Sequence, residues 1–158
     1  MKEKVIILMG SKADLDFSKK IGRYLEDFGI EYKLRIASAH KTPRNILDIL
    51  EEYKDERIVY IAVAGRSNAL SGFVDANTIK PVIACPPYSD KFSGGDIYSS
   101  LRMPSAVAPM VVLEPDNAAL AAAKILGLTD KRIQEKIKNY QTAAKEALEK
   151  DDQEVQDG

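Results

Sequence analysis

The sequence predicts one α/β domain: a parallel sheet of about five strands, helices on both faces, and an extra helix at the carboxyl end. Three observations predict it. Short, almost wholly apolar runs such as "KVIILM", "IVYIAV" and "PVIAC" have the composition of strands buried on both faces. Each is followed by a stretch of helical character, and strands alternating with helices build parallel sheets. The connections are short, and 158 residues suit one domain with a sizeable core but not a barrel of eight units.

The elements follow in order. "KVIILMGS" is the first strand, ending at Gly10-Ser11. From 12 to 28 the period changes: Phe17, Ile21, Leu25 and Phe28 share one helical face, and Gly29 stops the helix. "EYKLRIAS" is the second strand. Thr42-Pro43 then offers an N-cap and N1 pair, with Ile46, Leu47, Leu50 and Tyr53 as the apolar stripe. "RIVYIAVAG" is the third strand and "NALSGFVDANT" a short helix. "PVIAC" is the fourth strand, and a loop, "PPYSDKFSGGD", leads to "IYSSLRM", helical up to Pro104. "APMVVLEP" is the fifth strand, and "DNAALAAAKILG" an alanine-rich helix ending at Gly127. Thr129 caps a last helix with apolar residues at Ile133, Ile137, Tyr140, Ala144 and Leu148. Its near-heptad spacing suits packing on its own domain or on a neighbouring subunit. The domain spans 1–150, and 151–158, "DDQEVQDG", reads as a disordered acidic tail. The whole is a flavodoxin-like three-layer α/β/α sandwich.

Composition narrows the function classes. Twenty-three Lys and Arg nearly cancel 24 Asp and Glu, leaving a net charge of −1. Such a chain has no general attraction to nucleic acid or anionic membranes, so an anionic ligand must be met by a few placed groups. Cys85 is the only cysteine, which excludes an internal disulfide and a multi-cysteine metal site and favours a reducing compartment. It reads as a small buried hydrophobe, with a nucleophile paired to the lone histidine as the weaker alternative. No apolar run approaches a membrane span, and the apolar start is too short for a signal peptide, so a cytoplasmic location is expected.

In such sheets ligands bind beyond the carboxyl ends of the strands. "MGSKAD", "SAHKTP", "AGRSNALSG" and "CPPYSDKFSGGD" all fall there. Gly10-Ser11 opens a helix, where free amides and the dipole suit a phosphate; Ser11 and Asp14 serve either a nucleotide or the helix cap. Neither a Walker nor a dinucleotide fingerprint is present. His40, the only histidine, is either an inert surface residue or a rim acid–base, since imidazole titrates near neutrality. Lys41 at a helix start opposes the dipole, as an anion-binding lysine does. Arg66 reads equally as an anion clamp or as part of a polar turn capping the helix near Asn68. The long loop with two glycines fits a lid. An FMN-binding flavodoxin needs stacking aromatics and a hydroxyl-rich loop after strand one; Trp is absent and "MGSKAD" is thin for that loop. A receiver domain needs an acidic pair after strand one, and "ILMGS" has none.

"MGSKAD", "SAHKTP", "AGRSNALSGFVD", "PVIACPPYSD", "SGGDIYSSLRMPS" and "NAALAAAKILG" together resemble the PurE family of purine biosynthesis, in order over residues 4 to 128. One branch of that family rearranges N5-carboxyaminoimidazole ribonucleotide to 4-carboxyaminoimidazole ribonucleotide and reads "SAHRTP" and "GAGGAAHLPGM". The other carboxylates aminoimidazole ribonucleotide directly with CO2 and reads "SAHKT" and "AGRSNALSGF"; animals carry it fused to the next enzyme. Lys41, Arg66-Ser67-Asn68 and Ala69 make this chain resemble the direct carboxylase, with the mutase as the alternative. The resemblance implies that His40 is the catalytic base. It implies that Ser11 and Asp14 hold the ribose and phosphate, and that Ser38 and Lys41 bind near the phosphate or carboxylate. Gly65, Arg66 and Ser67 then line the floor, and Tyr88, Ser89 and Asp90 belong to a mobile loop over the site. It also implies no cofactor or metal, and a homo-oligomer, octamer or tetramer, whose subunits share sites.

Overall fold

The computed structural model describes residues 4–157. At its centre is one five-stranded parallel sheet in the order β2-β1-β3-β4-β5. The strands are β1 (Lys4–Met9), β2 (Glu31–Ile36), β3 (Ile58–Val63), β4 (Val82–Ala84) and β5 (Met110–Val111). On one face lie α1 (Leu15–Asp27), α5 (Pro115–Leu126) and the start of α6 (Lys131–Asp157). On the other lie α2 (Pro43–Glu52) and α3 (Ala69–Ala76), while α4 (Tyr98–Leu101) is a single turn beyond β4.

Side chains alternate across each strand, which explains why these runs are apolar throughout. Val5, Ile7 and Met9 join Val59, Ile61 and Val63 under α1 and α5. Ile6 and Leu8 join Tyr60 and Ala62 under α2 and α3. Ala118, Ala119, Ala122 and Ala123 are fully buried, and these small side chains let α5 lie close along α1 and the sheet. Gly29 ends α1 with φ at +71°: its N–H bonds Glu26 O and the Ile30 N–H bonds Leu25 O, a Schellman closure that needs the left-handed residue.

The sandwich is the expected one; several element details differ. α1 begins at Leu15, because Lys12–Asp14 form a tighter 3-10 turn. In α2 the buried stripe is Ile46, Ile49 and Leu50, and Leu47 is exposed, one position off the inward face. β4 and β5 are shorter than their apolar runs; Pro81 and Pro109 set where they start. The expected loop 86–96 contains turns of 3-10 geometry, and α4 stops at Leu101. The cap of α6 is Asp130, not Thr129: Asp130 Oδ1 accepts the Arg132 N–H at 2.8 Å. The Thr129 hydroxyl is taken by the Arg57 guanidinium. α6 runs on to Asp157, where a disordered tail was expected from 151. Two i, i+4 side-chain pairs support those turns: the ion pair Lys150–Glu154, and the hydrogen bond from Gln156 Nε2 to Asp152 Oδ2. Only its first half packs, through Ile133, Ile137 and Tyr140; Ala144 is exposed and Leu148 is 70% exposed. Among the described residues no helix is long and apolar enough to cross a membrane.

Candidate active site

The strand order reverses between β1 and β3, so the crevice of this sheet opens beyond their carboxyl ends. Register makes the rim level. Met9 lies opposite both Ile36 and Val63. Backbone bonds then carry the ladder one step into the turns: Ala37 N to Met9 O at 3.0 Å, Gly10 N to Val63 O at 2.9 Å, and Cys85 N to Ala62 O at 2.9 Å. The turns after four strands therefore start from one hydrogen-bonded edge.

The turns also meet beyond that edge. A Cβ placed on Gly10 lies 3.5 Å from Ala64 Cβ and 4.0 Å from Asp14 Oδ2, so the first and third turns approach closely. Ala39 and Ser67 line one shallow cleft with Gly72, Phe73 and Met103, which joins the second turn to the third. Gly65 faces the carbonyl of Pro87, and these two lie with Tyr88, Ser89, Gly94 and Asp96 around a cleft of about 250 Å³. A wider cleft of about 760 Å³ runs along the outer edge of β2, past Glu26, Gly29 and Lys33, away from all these turns.

Ser11 stands at the N-cap position, yet its hydroxyl donates to Asp14 Oδ2 at 3.3 Å and makes no cap bond to a backbone amide. Asp14 is half-buried. Burial pushes its carboxyl above the usual range, partly offset by bonds from Ser11. In the second turn Ser38 N donates to Thr42 Oγ1 at 2.9 Å, and the Lys41 N–H donates to Ser38 Oγ at 3.2 Å. Thr42 thus holds the turn rather than capping α2, whose start needs only Pro43 at N1. His40 and Lys41 sit exposed at the apex, and Arg66 is exposed on the third turn. Among the described residues the side chains of all three make no hydrogen bond or ion pair. An imidazole and two cations are therefore uncommitted on the turns that follow β2 and β3, and free cations are what an anionic ligand needs in a nearly neutral protein.

Asn68 is the cap of α3: its Oδ1 accepts the Ser71 N–H at 3.2 Å. Buried, it also donates from Nδ2 to Ser100 Oγ at 2.9 Å and from its backbone N–H to Ser99 Oγ at 2.9 Å. Ser99 Oγ in turn donates to Asp96 O at 2.7 Å. The sequence marks a polar turn capping a helix that starts near Asn68, but not Ser99, Ser100 and Asp96 as its partners. Their proximity to Asn68 is a product of the fold, and no local spacing announces it.

Tyr88 and Ser89 border the cleft beside Gly65, whereas Asp90 does not and begins the 3-10 turns that follow. Phe92 and Ser93 have φ of 51° and 52°, left-handed values that strain residues with a Cβ. Cys85 is fully buried, its thiol donates to Leu113 O at 3.6 Å, and burial with Glu114 and Asp116 nearby pushes its pKa up to about 12. A thiol so disfavoured as thiolate is a core residue and no nucleophile.

Comparison with known proteins agrees with the motifs. Residues 4–147 match the family described as AIR carboxylase. A phosphoribosylaminoimidazole carboxylase of Archaeoglobus fulgidus is 61% identical over 152 residues, covering 96% of this chain and 84% of that protein. A human bifunctional phosphoribosylaminoimidazole carboxylase/phosphoribosylaminoimidazole succinocarboxamide synthetase is 42% identical over 137 residues, 85% of this chain but 32% of that protein. The crystal structure of Treponema denticola PurE superposes with a TM-score of 0.95 at 51% identity, covering 98% of this chain and 99% of that one. The chain therefore belongs to the AIR carboxylase, or PurE, family.

Proposed function

We propose that the protein carboxylates 5-aminoimidazole ribonucleotide at C4 with CO2, reversibly, in purine biosynthesis. The observation that carries this reading is that the side chains of His40, Lys41 and Arg66, on the turns after β2 and β3, are exposed and uncommitted among the described residues. Relatives matched over 96% of the chain bear the name phosphoribosylaminoimidazole carboxylase, which supports it.

The exocyclic amine makes C4 of the imidazole enamine-like. C4 attacks CO2, a C–C bond forms, and C4 briefly carries both its proton and the new carboxylate. His40 takes that proton, the C–H electrons return to the ring, and aromaticity is restored; the imidazolium then releases the proton to solvent. Neutral imidazole suits the step because its ordinary pKa lies near the working pH. Arg66 and Lys41 stabilise the carboxylate and the phosphate with charge-assisted bonds, and Ser11, Asp14 and Ser38 hold the ribose phosphate. Gly65 and Ser67 form the floor, and Tyr88, Ser89 and Asp90 belong to a lid. The strained Phe92-Ser93 pair supports a lid that rearranges. The assembly is a cytoplasmic homo-oligomer, octamer or tetramer, and the exposed Leu148 and Val155 on α6 are apolar contacts available to it.

The test supplies aminoimidazole ribonucleotide and bicarbonate without ATP and follows the carboxylated product. Turnover at physiological bicarbonate supports the carboxylase. Turnover from N5-carboxyaminoimidazole ribonucleotide alone assigns the chain to the mutase branch instead.

A further inference from the structure

The two walls of the cleft beside Gly65 come from different parts of the chain. One is Gly65, at the start of the β3–α3 turn; the other is the loop from Pro86 to Ile97, with Leu113 and Glu114. A continuous hydrogen-bonded path joins them. The Asn68 N–H donates to Ser99 Oγ at 2.9 Å, and the Ser99 hydroxyl donates to Asp96 O at 2.7 Å. Ser99 thus uses its acceptor on one wall and its proton on the other. Asn68 Nδ2 to Ser100 Oγ runs in parallel, inside the core. The tie sits where the loop's left-handed segment, Phe92 to Gly94, gives way to regular helical turns at Asp96 and Ile97.

We propose that Ser99 is a positioning residue: it pins the downstream end of the 86–97 loop to the turn bearing Arg66 and Ser67, so that the loop moves about a fixed end. This rests on the proposed carboxylase reading for its catalytic consequence only. The pin sets where Gly65–Ser67 stands relative to the loop. Loosening it misplaces groups that act on the reacting carbon while leaving the nucleotide's phosphate contacts in the first and second turns. The expected signature is a fall in kcat with little change in KM.

The experiment compares Ser99→Ala with Ser99→Thr, which keeps the hydroxyl, in the full-length protein. Three readouts are taken: decarboxylation kinetics, Tm, and the rate of tryptic cleavage after Lys91, a residue exposed within the loop. Ser99→Ala is expected to lower kcat about tenfold with the nucleotide KM within about threefold, and to speed cleavage about fivefold or more. Ser99→Thr is expected to restore both. If Ser99→Ala does not fold, Ser99→Cys, with its weak acceptor, carries the same comparison. Wild-type cleavage and kinetics in Ser99→Ala overturn the proposal, as does a loss in kcat that Ser99→Thr fails to rescue. A wild-type enzyme that turns over no substrate overturns the carboxylase reading instead, and the cleavage comparison still decides the pin.

Discussion

Ser38 and Thr42 close on each other across the turn that carries His40. Ser38 N donates to Thr42 Oγ1 at 2.9 Å, and Thr42 N donates to Ser38 O at 2.8 Å. Two bonds four residues apart make the turn a rigid bracket, and His40 is its exposed apex. Thr42→Val keeps the shape and removes the acceptor. We predict a kcat loss of about tenfold with Tm almost unchanged, because the turn is exposed and the backbone bond remains. Kinetics beside a thermal melt check this; wild-type kcat removes the bracket from the mechanism.

The His40 side chain is exposed and makes no hydrogen bond or ion pair among the described residues, so its role can be separated from stability. His40→Asn is predicted to melt at the wild-type temperature and to bind nucleotide nearly as well. Turnover is predicted to fall about 100-fold or more, the scale of a positioned acid–base. Equal losses of stability and activity point to a structural histidine.

The fold was legible in the sequence because its signals are local. Wholly apolar runs, helical stripes and Gly29 each declare an element from a few neighbouring residues. Errors arose where the third dimension decides: Leu47 looks like core but lies one position off the inward face of α2. Thr42 looks like a cap but serves Ser38. Within the site, the turns bearing Ser11, His40 and Arg66 were legible as the ends of parallel strands. Ser99 was not, because its partner Asn68 lies 31 residues away and only the β3–β4 crossover brings them together.

Arg66 stands uncommitted on the third turn, beside the wall that Gly65 shares with Pro87. Arg66→Ala is predicted to cut kcat for carboxylation by about 100-fold while the nucleotide Kd changes less than about threefold, as the proposed role of Arg66 at the new carboxylate requires. Calorimetry of nucleotide binding beside steady-state rates separates the two. A fall in affinity with kcat retained makes Arg66 a phosphate ligand.

Cys85 tests the burial argument chemically. With its pKa pushed up to about 12 and no exposure, the thiol has almost no thiolate at neutral pH. Native protein is predicted to resist iodoacetamide at pH 8 for hours with full activity, and to take up one equivalent on unfolding. Fast native labelling accompanied by inactivation restores the nucleophile reading.

Asp14 gives the pH dependence. Burial raises its carboxyl above the ordinary value of 3.8, and the Ser11 hydroxyl lowers it only in part. In the window above 3.8 the native state therefore binds more protons at this group than the unfolded chain does. Stability consequently falls as pH rises through that window, and the ionised carboxylate is a standing cost at neutrality. Asp14→Asn removes that cost and keeps an acceptor for Ser11. The variant is predicted to be at least as stable as wild type at pH 7, with its advantage disappearing as pH falls towards 3.8. The same change removes a charged acceptor for sugar hydroxyls, so KM is predicted to rise about tenfold or more. Denaturation curves at several pH values, set beside nucleotide kinetics, carry the test. An Asp14→Asn protein less stable at pH 7 than at pH 4, relative to wild type, makes the carboxylate a folding asset and sinks this assignment.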